Sequence, residues 1–373
     1  MRHFIYLAIV SLPLAALGCR PSRQPVSVPA ASPGDESNAS ASKPSEPAPT
    51  TVAQTDSGSK AVPAPESPKA AANQPPTVRD VVGKLLEADG EGGWRVNERA
   101  ATELEKLGAD ADKELLPLLE DAKVEVRRGA AFHLLGRFNP NDAQHVAAFT
   151  KLLRDPDRTV RGIGLSAVNQ MHPNDQVAAV PQLATLLDPK SEDKPENRAA
   201  IARLFGSLKS EAAAAANQLA RVAVEDPDAR VRSASLVALS QVAEPSSNLP
   251  VFTKALKDTD PAVRQVAVAR LRQMGNAATG SADELAGALG DTNPRVRDAA
   301  AEVLIRLGGP AVGPLAEVTA SGNLDSRKLA LACLARIGPR ASSAMPAIEK
   351  ALMDPDPQIR MLAEAAIARI KGL

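Results

Sequence analysis

One short pattern recurs through most of this chain. Residues 258–264 read DTDPAVR, residues 291–297 read DTNPRVR and residues 354–360 read DPDPQIR. The last residue of the pattern serves as an anchor, and in successive copies it is Arg127, Arg161, Arg198, Arg232, Arg264, Arg297, Arg327 and Arg360. The anchors are 34, 37, 34, 32, 33, 30 and 33 residues apart. A repeat of this length is typical of a solenoid, in which each unit stacks only on its neighbours.

Each copy predicts two helices joined by a tight turn. After the anchor, apolar residues recur at +3, +7 and +10, as in Ala267, Leu271 and Met274, which places them on one helical face. Glycine follows at +11 in several copies, where a left-handed helix end favours it. The Asp-Pro-Asp or Asp-Thr-Asp residues before the anchor form a turn and cap the next helix. An apolar segment such as 249–256 precedes the turn, so each unit is predicted as helix A, turn, helix B.

The first copy departs from the pattern. If Gly108 marks the end of its helix B, Asn97 takes the place of the anchor arginine. Its helix A is then predicted over Val78–Leu86. Residues 77–373 hold nine repeats of about 33 residues on this count. Atypical terminal repeats are expected, because they cap the stack against water.

The Asp-Pro-Asp-x-x-Val-Arg stretch, followed by an Ala-rich helix B, resembles HEAT repeats, in particular the short bacterial subtype named after phycobilisome lyases. The resemblance covers residues 77–373. It implies an all-α fold, a right-handed α-solenoid of about nine helical hairpins that presents curved surfaces to partners. It implies little about activity, because a fold does not by itself bring a chemistry.

The beginning of the chain predicts export and lipidation. Residues 1–18 combine a short basic start with an apolar stretch that is too short, and too interrupted by Pro13, for a membrane span. The stretch ends in Leu-Ala-Ala-Leu-Gly followed by Cys19, which resembles a bacterial lipobox. The resemblance implies a diacylglyceryl group on Cys19 and an extracytoplasmic protein, held at the periplasmic side or the outer membrane. An ordinary secretory signal with an incidental cysteine is the alternative.

Residues 19–76 predict a tether. After Cys19 the segment is rich in Pro, Ala and Ser and has no apolar periodicity. Such a composition buries too little apolar surface to offset the entropy of ordering, which predicts a disordered linker without binding motifs of its own. The domain organisation is therefore a signal peptide over 1–18, a lipidated and disordered segment over 19–76 and a solenoid over 77–373.

Charge and aromatic content exclude several ligand classes. Residues 77–373 contain 38 basic and 39 acidic side chains, which leaves no electrostatic footprint for nucleic acid. Tyr6 is the only tyrosine and Trp94 the only tryptophan. Bases and sugars are bound by stacking on aromatic side chains, so their scarcity argues against both.

No catalytic or metal-binding motif is present in the sequence. His-Glu-x-x-His, Cys-x-x-Cys, phosphate loops and Gly-x-Ser-x-Gly are all missing, and no cofactor or small-molecule substrate is indicated. His133 and His172 could form a metal or acid–base site only if the fold brings them together; two unrelated polar positions is the alternative. The repeated Asp-x-Asp lacks the later ligands and the glycine of a calcium loop. Cys333 is predicted to be a small buried thiol.

The anchor arginines are accompanied by a row of acids. An acidic residue precedes most anchors by six positions: Asp121, Asp155, Glu192, Asp226, Asp258, Asp291 and Asp354, with Ser321 interrupting the row. Stacked repeats place these acids and arginines in adjacent columns, where the planar fork of arginine can bridge carboxylates and turn carbonyls within and between repeats. A structural role is predicted, with anion binding as the alternative.

A second column predicts the partner surface. Position +9 of helix B holds Lys106, Gly136, Gln170, Ser207, Gln241, Gln273, Arg306, Arg336 and Arg369. Every member is polar, charged or glycine, so the column is expected to face solvent. Its last three members are arginines and Arg272 lies beside Gln273, which predicts a basic stripe of Arg272, Arg306, Arg336 and Arg369. The stripe could meet an acidic protein segment or an anionic headgroup; a solvated polar flank is the alternative.

These observations favour a membrane-anchored scaffold without enzymatic activity that binds a partner protein through its solenoid surface. One alternative is a lyase-type enzyme or assembly factor related to phycobilisome lyases, which rests only on the name of the repeat subtype. Another is a protein that binds anionic membrane surfaces through the basic stripe.

Overall fold

The computed structural model describes residues 76–90, 93–106, 108 and 111–372. The predicted signal peptide, Cys19 and all but the last residue of the tether lie outside the described residues. Within the described part, eighteen α-helices form nine consecutive pairs. The helices A are α1 Val78–Val82, α3 Ala111–Leu118, α5 Ala143–Leu152, α7 Pro173–Thr185, α9 Ala216–Glu225, α11 Leu249–Ala255, α13 Ala282–Gly287, α15 Val312–Ser321 and α17 Met345–Ala351. The helices B are α2 Glu98–Lys106, α4 Val124–Leu135, α6 Arg158–Val168, α8 Pro195–Leu208, α10 Ala229–Val242, α12 Pro261–Met274, α14 Pro294–Leu307, α16 Leu324–Ile337 and α18 Pro357–Lys371.

The pairs stack into an α-solenoid, which confirms the predicted fold class. From α4 to α18 each helix B packs on the next helix B. Helices A pack on one another along the chain as well, for example α13 on α15 and α15 on α17. One continuous core runs between the two layers, because each helix turns its apolar side inward and its neighbours cover it. Ala267 and Leu271, two of the predicted +3 and +7 positions, are fully buried in that core.

Short 3₁₀ helices connect many of the repeats. The connecting ones span Lys209–Ala215, Pro245–Asn248, Gly275–Ser281, Gly309–Ala311 and Gly338–Ala344. A further one, Ala288–Gly290, lies between helix A and helix B of the seventh repeat. Three of them follow a glycine at +11 of helix B: Gly275, Gly308 and Gly338 have φ of +56°, +67° and +67°. Positive φ costs glycine little conformational energy, because glycine has no Cβ. These residues therefore turn the chain sharply from one repeat to the next.

The first repeat differs from its prediction. Helix α1 ends at Val82, whereas the sequence predicted a helix as far as Leu86, and strand β1 Leu86–Ala88 pairs antiparallel with β2 Trp94–Val96. The glycine-rich segment between the strands favours a turn over a helix, and Gly90 adopts φ of +80° there. A hairpin therefore takes the place of the helical turn that joins helix A to helix B in the other repeats.

The hairpin is fixed to the second and third repeats by its tryptophan. Trp94 Nε1 donates to Thr159 Oγ1 at 3.1 Å. The guanidinium of Arg128 lies over the indole ring, 4.3 Å from its centroid. Arg128 is itself held by both carboxylate oxygens of Asp157, the N-cap residue of α6, at 2.9 and 2.5 Å. A cation over an indole face is attracted by the ring quadrupole, so the hairpin closes this end of the described stack with a specific contact.

Candidate partner-binding surface

The turn before each helix B contains a contact that joins neighbouring repeats. In the fifth repeat, Arg232 Nε and Nη2 donate to the two carboxylate oxygens of Asp258 in the sixth repeat, each at 2.7 Å. Arg232 Nη1 donates to the carbonyls of Asp226 and Pro227 in its own turn, at 2.8 and 3.2 Å. One guanidinium thus links its own turn to the turn of the next repeat, because its donors are held in a rigid plane.

The same arrangement recurs along one edge of the solenoid, and we call it the ladder. Both carboxylate oxygens are engaged in the pairs Arg127–Asp155, Arg198–Asp226 and Arg264–Asp291. Arg161 donates to one oxygen of Glu192 at 2.9 Å, and Arg327 forms an ion pair with Asp354. These contacts use charge-assisted hydrogen bonds, which are stronger than neutral ones.

Each acid of the ladder also shapes its own turn. Asp258 Oδ1 accepts from the N–H of Asp260 at 2.8 Å, and Asp260 Oδ1 caps α12 by accepting from the N–H of Ala262 at 2.7 Å. Burial raises the pKa of Asp258, but the hydrogen bonds from Arg232 and from the Asp260 N–H lower it by more than burial raises it. The pKa therefore lies below the usual aspartate value. The two aspartates of the repeated motif therefore have separate tasks, one between repeats and one at the helix start.

The first contact of the ladder comes from a residue that the sequence pattern missed. Arg79 in α1 donates from Nε and Nη2 to Asp121 at 2.6 and 2.8 Å, while Asn97 caps α2 by accepting from the N–H of Ala100 at 3.0 Å. The hydrogen bond from Arg79, followed by one from the N–H of Lys123, lowers the pKa of Asp121 to about 2. One sequence signal could have indicated this contact: Asp121 belongs to the row of acids, but the preceding repeat has no anchor arginine to pair with it.

The ladder is interrupted after the seventh repeat. Arg297 Nη1 donates to the carbonyls of Asp291 and Thr292 at 2.8 and 3.4 Å, as the other anchors do in their own turns. The place of the next acid is taken by Ser321, whose hydroxyl donates to the carbonyl of Glu317 at 2.9 Å. Among the residues that the structure describes, no carboxylate contacts Arg297. Arg360 in the ninth repeat likewise bonds the Asp354 and Pro355 carbonyls of its own turn.

The structure exposes the whole +9 column of helix B. All nine members, from Lys106 in α2 to Arg369 in α18, are exposed. The column is seven residues from position +2, which lies on the same helical face. In the last four repeats the +2 positions are half-buried apolar residues: Val266, Ala299, Leu329 and Leu362. In the last three repeats this face therefore combines half-buried apolar residues at +2 with exposed arginines at +9.

The four arginines of the predicted basic stripe are not equivalent. Arg272 Nη1 lies 3.3 Å from Glu302 on the next helix B, and the two side chains are 48% and 56% exposed. Arg306 donates to the backbone carbonyl of Arg272 at 3.4 Å. Within the described part of the chain, Arg306, Arg336 and Arg369 make no ion pair. The positive charge that is available to a partner is therefore concentrated on these three residues.

The grooves between successive helices A have a different character. The groove between α3 and α5 has a volume of about 680 Å³ and is lined by charges of both signs. Its Lys151 pairs with Glu120 at 2.9 Å, and its Arg127 and Asp155 belong to the ladder. These pairs neutralise one another, so the groove offers a ligand little net charge.

The histidines and the cysteine of the described region have separate surroundings. His145 Nδ1 accepts from the N–H of Asn139 at 3.2 Å, His172 Nε2 lies 3.1 Å from Asn141 Oδ1, and His133 is buried in α4. Cys333 is buried as predicted, and burial raises the pKa of its thiol to about 12. Over the described residues, no three side chains of His, Cys, Asp or Glu are grouped to hold a metal ion. In the same residues, no helix has the length and hydropathy needed to span a membrane.

Comparison with known families places one part of the chain. The family model for HEAT repeats matches residues 249–323. These residues run from α11 to the N-cap of α16 and include the interrupted part of the ladder. A comparison with curated proteins gives no match.

Solved structures of low sequence identity resemble parts of this chain. The karyopherin Kap121p, in a complex with the C-terminus of the phosphatase Cdc14p, is 13% identical with a TM-score of 0.50 over 79% of this chain and 37% of that one. The Escherichia coli protein YibA is 18% identical over 74% of this chain and 98% of that one, with a TM-score of 0.39. A β-catenin is 16% identical over 79% and 70%, with a TM-score of 0.42. At 13% identity the likeness to Kap121p concerns the solenoid fold alone.

Proposed function

We propose that this protein is a scaffold without enzymatic activity that binds another protein through the exposed face of its helices B. The observation that supports this most directly is the C-terminal third of that face. There, Arg306, Arg336 and Arg369 are exposed and free of ion pairs, beside the half-buried apolar row at +2. An apolar strip flanked by unpaired cations is complementary to a segment that alternates acidic and apolar side chains.

The proposal includes the membrane anchor predicted at Cys19. Two or more acyl chains at that residue would hold the protein stably at an extracytoplasmic membrane surface, and residues 20–76 would let the solenoid search the space above it. Expression of the full chain in a bacterial host with an alkyne-tagged fatty acid tests this part. The wild type should incorporate the label and sediment with membranes, and Cys19→Ala should do neither. Incorporation of the label by Cys19→Ala would contradict the anchor.

The binding surface is tested by charge reversal with a matched control. Arg306→Glu, Arg336→Glu and Arg369→Glu are combined in one variant, and Arg154→Glu, Lys254→Glu and Lys350→Glu in another. The control residues are exposed on or beside helices A, and the net charge changes equally. Affinity capture from the native host, followed by mass spectrometry, should recover a protein with the wild type and the control that the first variant loses. Equal recovery by both variants would contradict the proposed surface.

Binding to an anionic membrane is a second candidate, which the same three arginines favour. Protein that lacks residues 1–76 should then sediment with vesicles of anionic lipid, and added salt should release it because surface charge attraction is screened. Salt-insensitive recovery of a protein partner together with an absence of vesicle binding would favour the first function.

A further inference from the structure

The interruption of the ladder leaves the guanidinium of Arg297 without the carboxylate that the guanidinium groups of other anchors bind. The anchors Arg127, Arg198, Arg232 and Arg264 each hold a carboxylate between Nε and Nη2, at distances of 2.6 to 3.0 Å. Arg297 is in the same position of its helix and its Nη1 makes the same bonds to its own turn. In those four anchors Nε and Nη2 face the acid of the following repeat; for Arg297 the corresponding position in the eighth repeat holds Ser321.

The turn of the eighth repeat does not fill this place. The Ser321 hydroxyl is directed back to the Glu317 carbonyl, and Arg327 reaches the Thr319 carbonyl instead of that of residue 321. Asp325 is the nearest acid that follows in the sequence; it is exposed, and its side chain makes no hydrogen bond or ion pair in the described structure. Arg297 therefore lacks the carboxylate of the following repeat that pairs with Arg127, Arg198, Arg232 and Arg264.

The surroundings of the free fork are open and can accept a polypeptide. Ser321, Asn323 and Leu324 are all exposed, and Leu324 is one of the few large apolar side chains with more than a third of its surface in solvent, at 43%. The Nδ2 atom of Asn323 lies 3.2 Å from the position that a Cβ on Gly290 would occupy, so an amide donor also lies at this turn. A half-buried arginine beside an amide and an exposed leucine suits a carboxylate next to an apolar side chain.

We propose that Arg297 is a socket for a carboxylate side chain, Asp or Glu, supplied by a partner polypeptide. The bound carboxylate takes the place that Asp291 takes on Arg264 and completes the ladder between the seventh and eighth repeats. This inference rests on the proposed function as a protein-binding scaffold. It concerns a different place from the basic stripe, since +0 and +9 point to opposite sides of helix B.

The simplest probe is acetate, whose binding is detected through the NMR signals of the arginine side chains. The Nε–Hε signals of the ladder arginines are followed by NMR, and Arg297→Lys identifies the signal of residue 297. Increasing sodium acetate at constant ionic strength should shift the Arg297 signal toward those of the paired anchors Arg232 and Arg264, which should not move. An equal shift with chloride alone, or an Arg297 signal already among the paired ones, would overturn the socket.

Filling the socket from within the chain provides the second arm. Ser321→Asp or Ser321→Glu should supply the missing carboxylate, since Glu192 shows that a glutamate also fits a contact of this ladder. Ser321→Asn is the uncharged control. The acidic variants should raise the melting temperature and remove the acetate shift, whereas Ser321→Asn should do neither. All three variants keep Arg297 and its hydrogen bonds to the Asp291 and Thr292 carbonyls, so these bonds of the turn are not lost.

A peptide probe tests whether the carboxylate comes from a polypeptide. A labelled Glu-Leu repeat should bind the wild type more tightly than its Gln-Leu counterpart, and Ser321→Asp should weaken that binding about tenfold, the scale of one charge-assisted hydrogen-bonded contact. Equal binding by wild type and Ser321→Asp would overturn the proposal. The triple variant Arg306→Glu, Arg336→Glu and Arg369→Glu separates the two sites. If peptide binding is lost with Ser321→Asp but kept by the triple variant, the socket is supported and the proposed stripe surface is contradicted.

Discussion

Arg198 and Asp226 form the most buried contact of the ladder. Arg198 Nε lies 2.8 Å from Oδ2 and Nη2 lies 2.9 Å from Oδ1, and the two side chains are 3% and 0% exposed. Arg264 and Asp291 make the same contact with 11% and 7% of their side chains in solvent. Water can replace a lost partner more easily at the second site, so the contacts of one ladder differ in what they contribute to stability.

Replacing Asp226 by alanine should therefore destabilise the solenoid strongly. The guanidinium of Arg198 would remain buried without its carboxylate, and breaking a buried pair in this way costs about 3–5 kcal/mol. Glu120→Ala is the matched control, because the Lys151–Glu120 pair is 70% and 71% exposed and such pairs contribute about 0–1 kcal/mol. Thermal unfolding followed by circular dichroism measures both. Similar melting temperatures for the two variants would contradict the role of burial.

Replacing Arg264 by alanine tests whether the anchor arginines are structural. The variant loses both bonds to Asp291 and those to the Asp258 and Thr259 carbonyls, so the melting temperature should fall. Capture of the partner should be unaffected at temperatures where the variant is folded. An unchanged melting temperature together with loss of partner binding would mean that the anion-binding alternative is correct for this residue.

Replacing Lys209 by glycine should stabilise the protein. Lys209 has φ of +53° and ψ of −132°, close to the conformations of Gly275, Gly308 and Gly338 at the same +11 position, and it is the only residue other than glycine with positive φ in the described chain. Relief of this strain should outweigh the added flexibility of glycine in the unfolded chain and give about 1 kcal/mol. The reciprocal control is Gly275→Ala, which meets no atom within 4 Å and should destabilise through backbone strain alone.

Replacing Asn197 by valine should also stabilise the protein. Asn197 is 2% exposed and its Nδ2 has no hydrogen-bond partner, whereas the residue before the anchor is valine in Val126, Val160, Val231, Val263 and Val296. Removing an unsatisfied buried donor should gain about 1–3 kcal/mol. Ser326→Val is the contrasting variant, since Ser326 Oγ donates to the Asn323 carbonyl at 3.0 Å and packs closely against Gly322. Chemical denaturation should show gains for the first and losses for the second.

The stability of the N-terminal repeats should fall in acid. The pKa of Asp121 in the folded protein is about 2, below its usual value of about 4, so its pairing with Arg79 is fully present above pH 4. The contribution is lost as the pH falls from about 4 through about 2, because the carboxylate must then be protonated in the folded state too. The difference in melting temperature between wild type and Asp121→Asn should shrink over this range. A difference that is constant from pH 5 to pH 2 would contradict the assignment.

Much of the architecture follows from local patterns that the sequence displays openly. The turn residues, the apolar positions at +3, +7 and +10 and the glycines at +11 all act within one repeat, so the nine helical pairs could be predicted. The hairpin of the first repeat could not be predicted, because it arose from a competition between a longer helix A and a glycine-rich turn. Trp94 adds contacts with Arg128 and Thr159, which lie in other repeats and are not indicated by the spacing within one repeat.

The candidate site was predictable only in part for the same reason. Exposure of the +9 column follows from its polar composition, and all of its members are exposed. The pairing of Arg272 with Glu302 depends on the offset between two neighbouring helices, which spacing along the chain does not specify. The contribution of Arg79 was hidden because it comes from helix A, whereas the repeated pattern places every other anchor in helix B.

The indole of Trp94 has an optical consequence. As the only tryptophan in the chain, it lies against Arg128 and Thr159, so its fluorescence reports on the joint between the hairpin and the second and third repeats. Far-ultraviolet circular dichroism, in contrast, averages over all nine repeats. In a stack whose stability is a sum of neighbouring contacts, the two signals need not change together. The separation between their unfolding curves measures how far the ladder transmits order from one end of the described solenoid to the other.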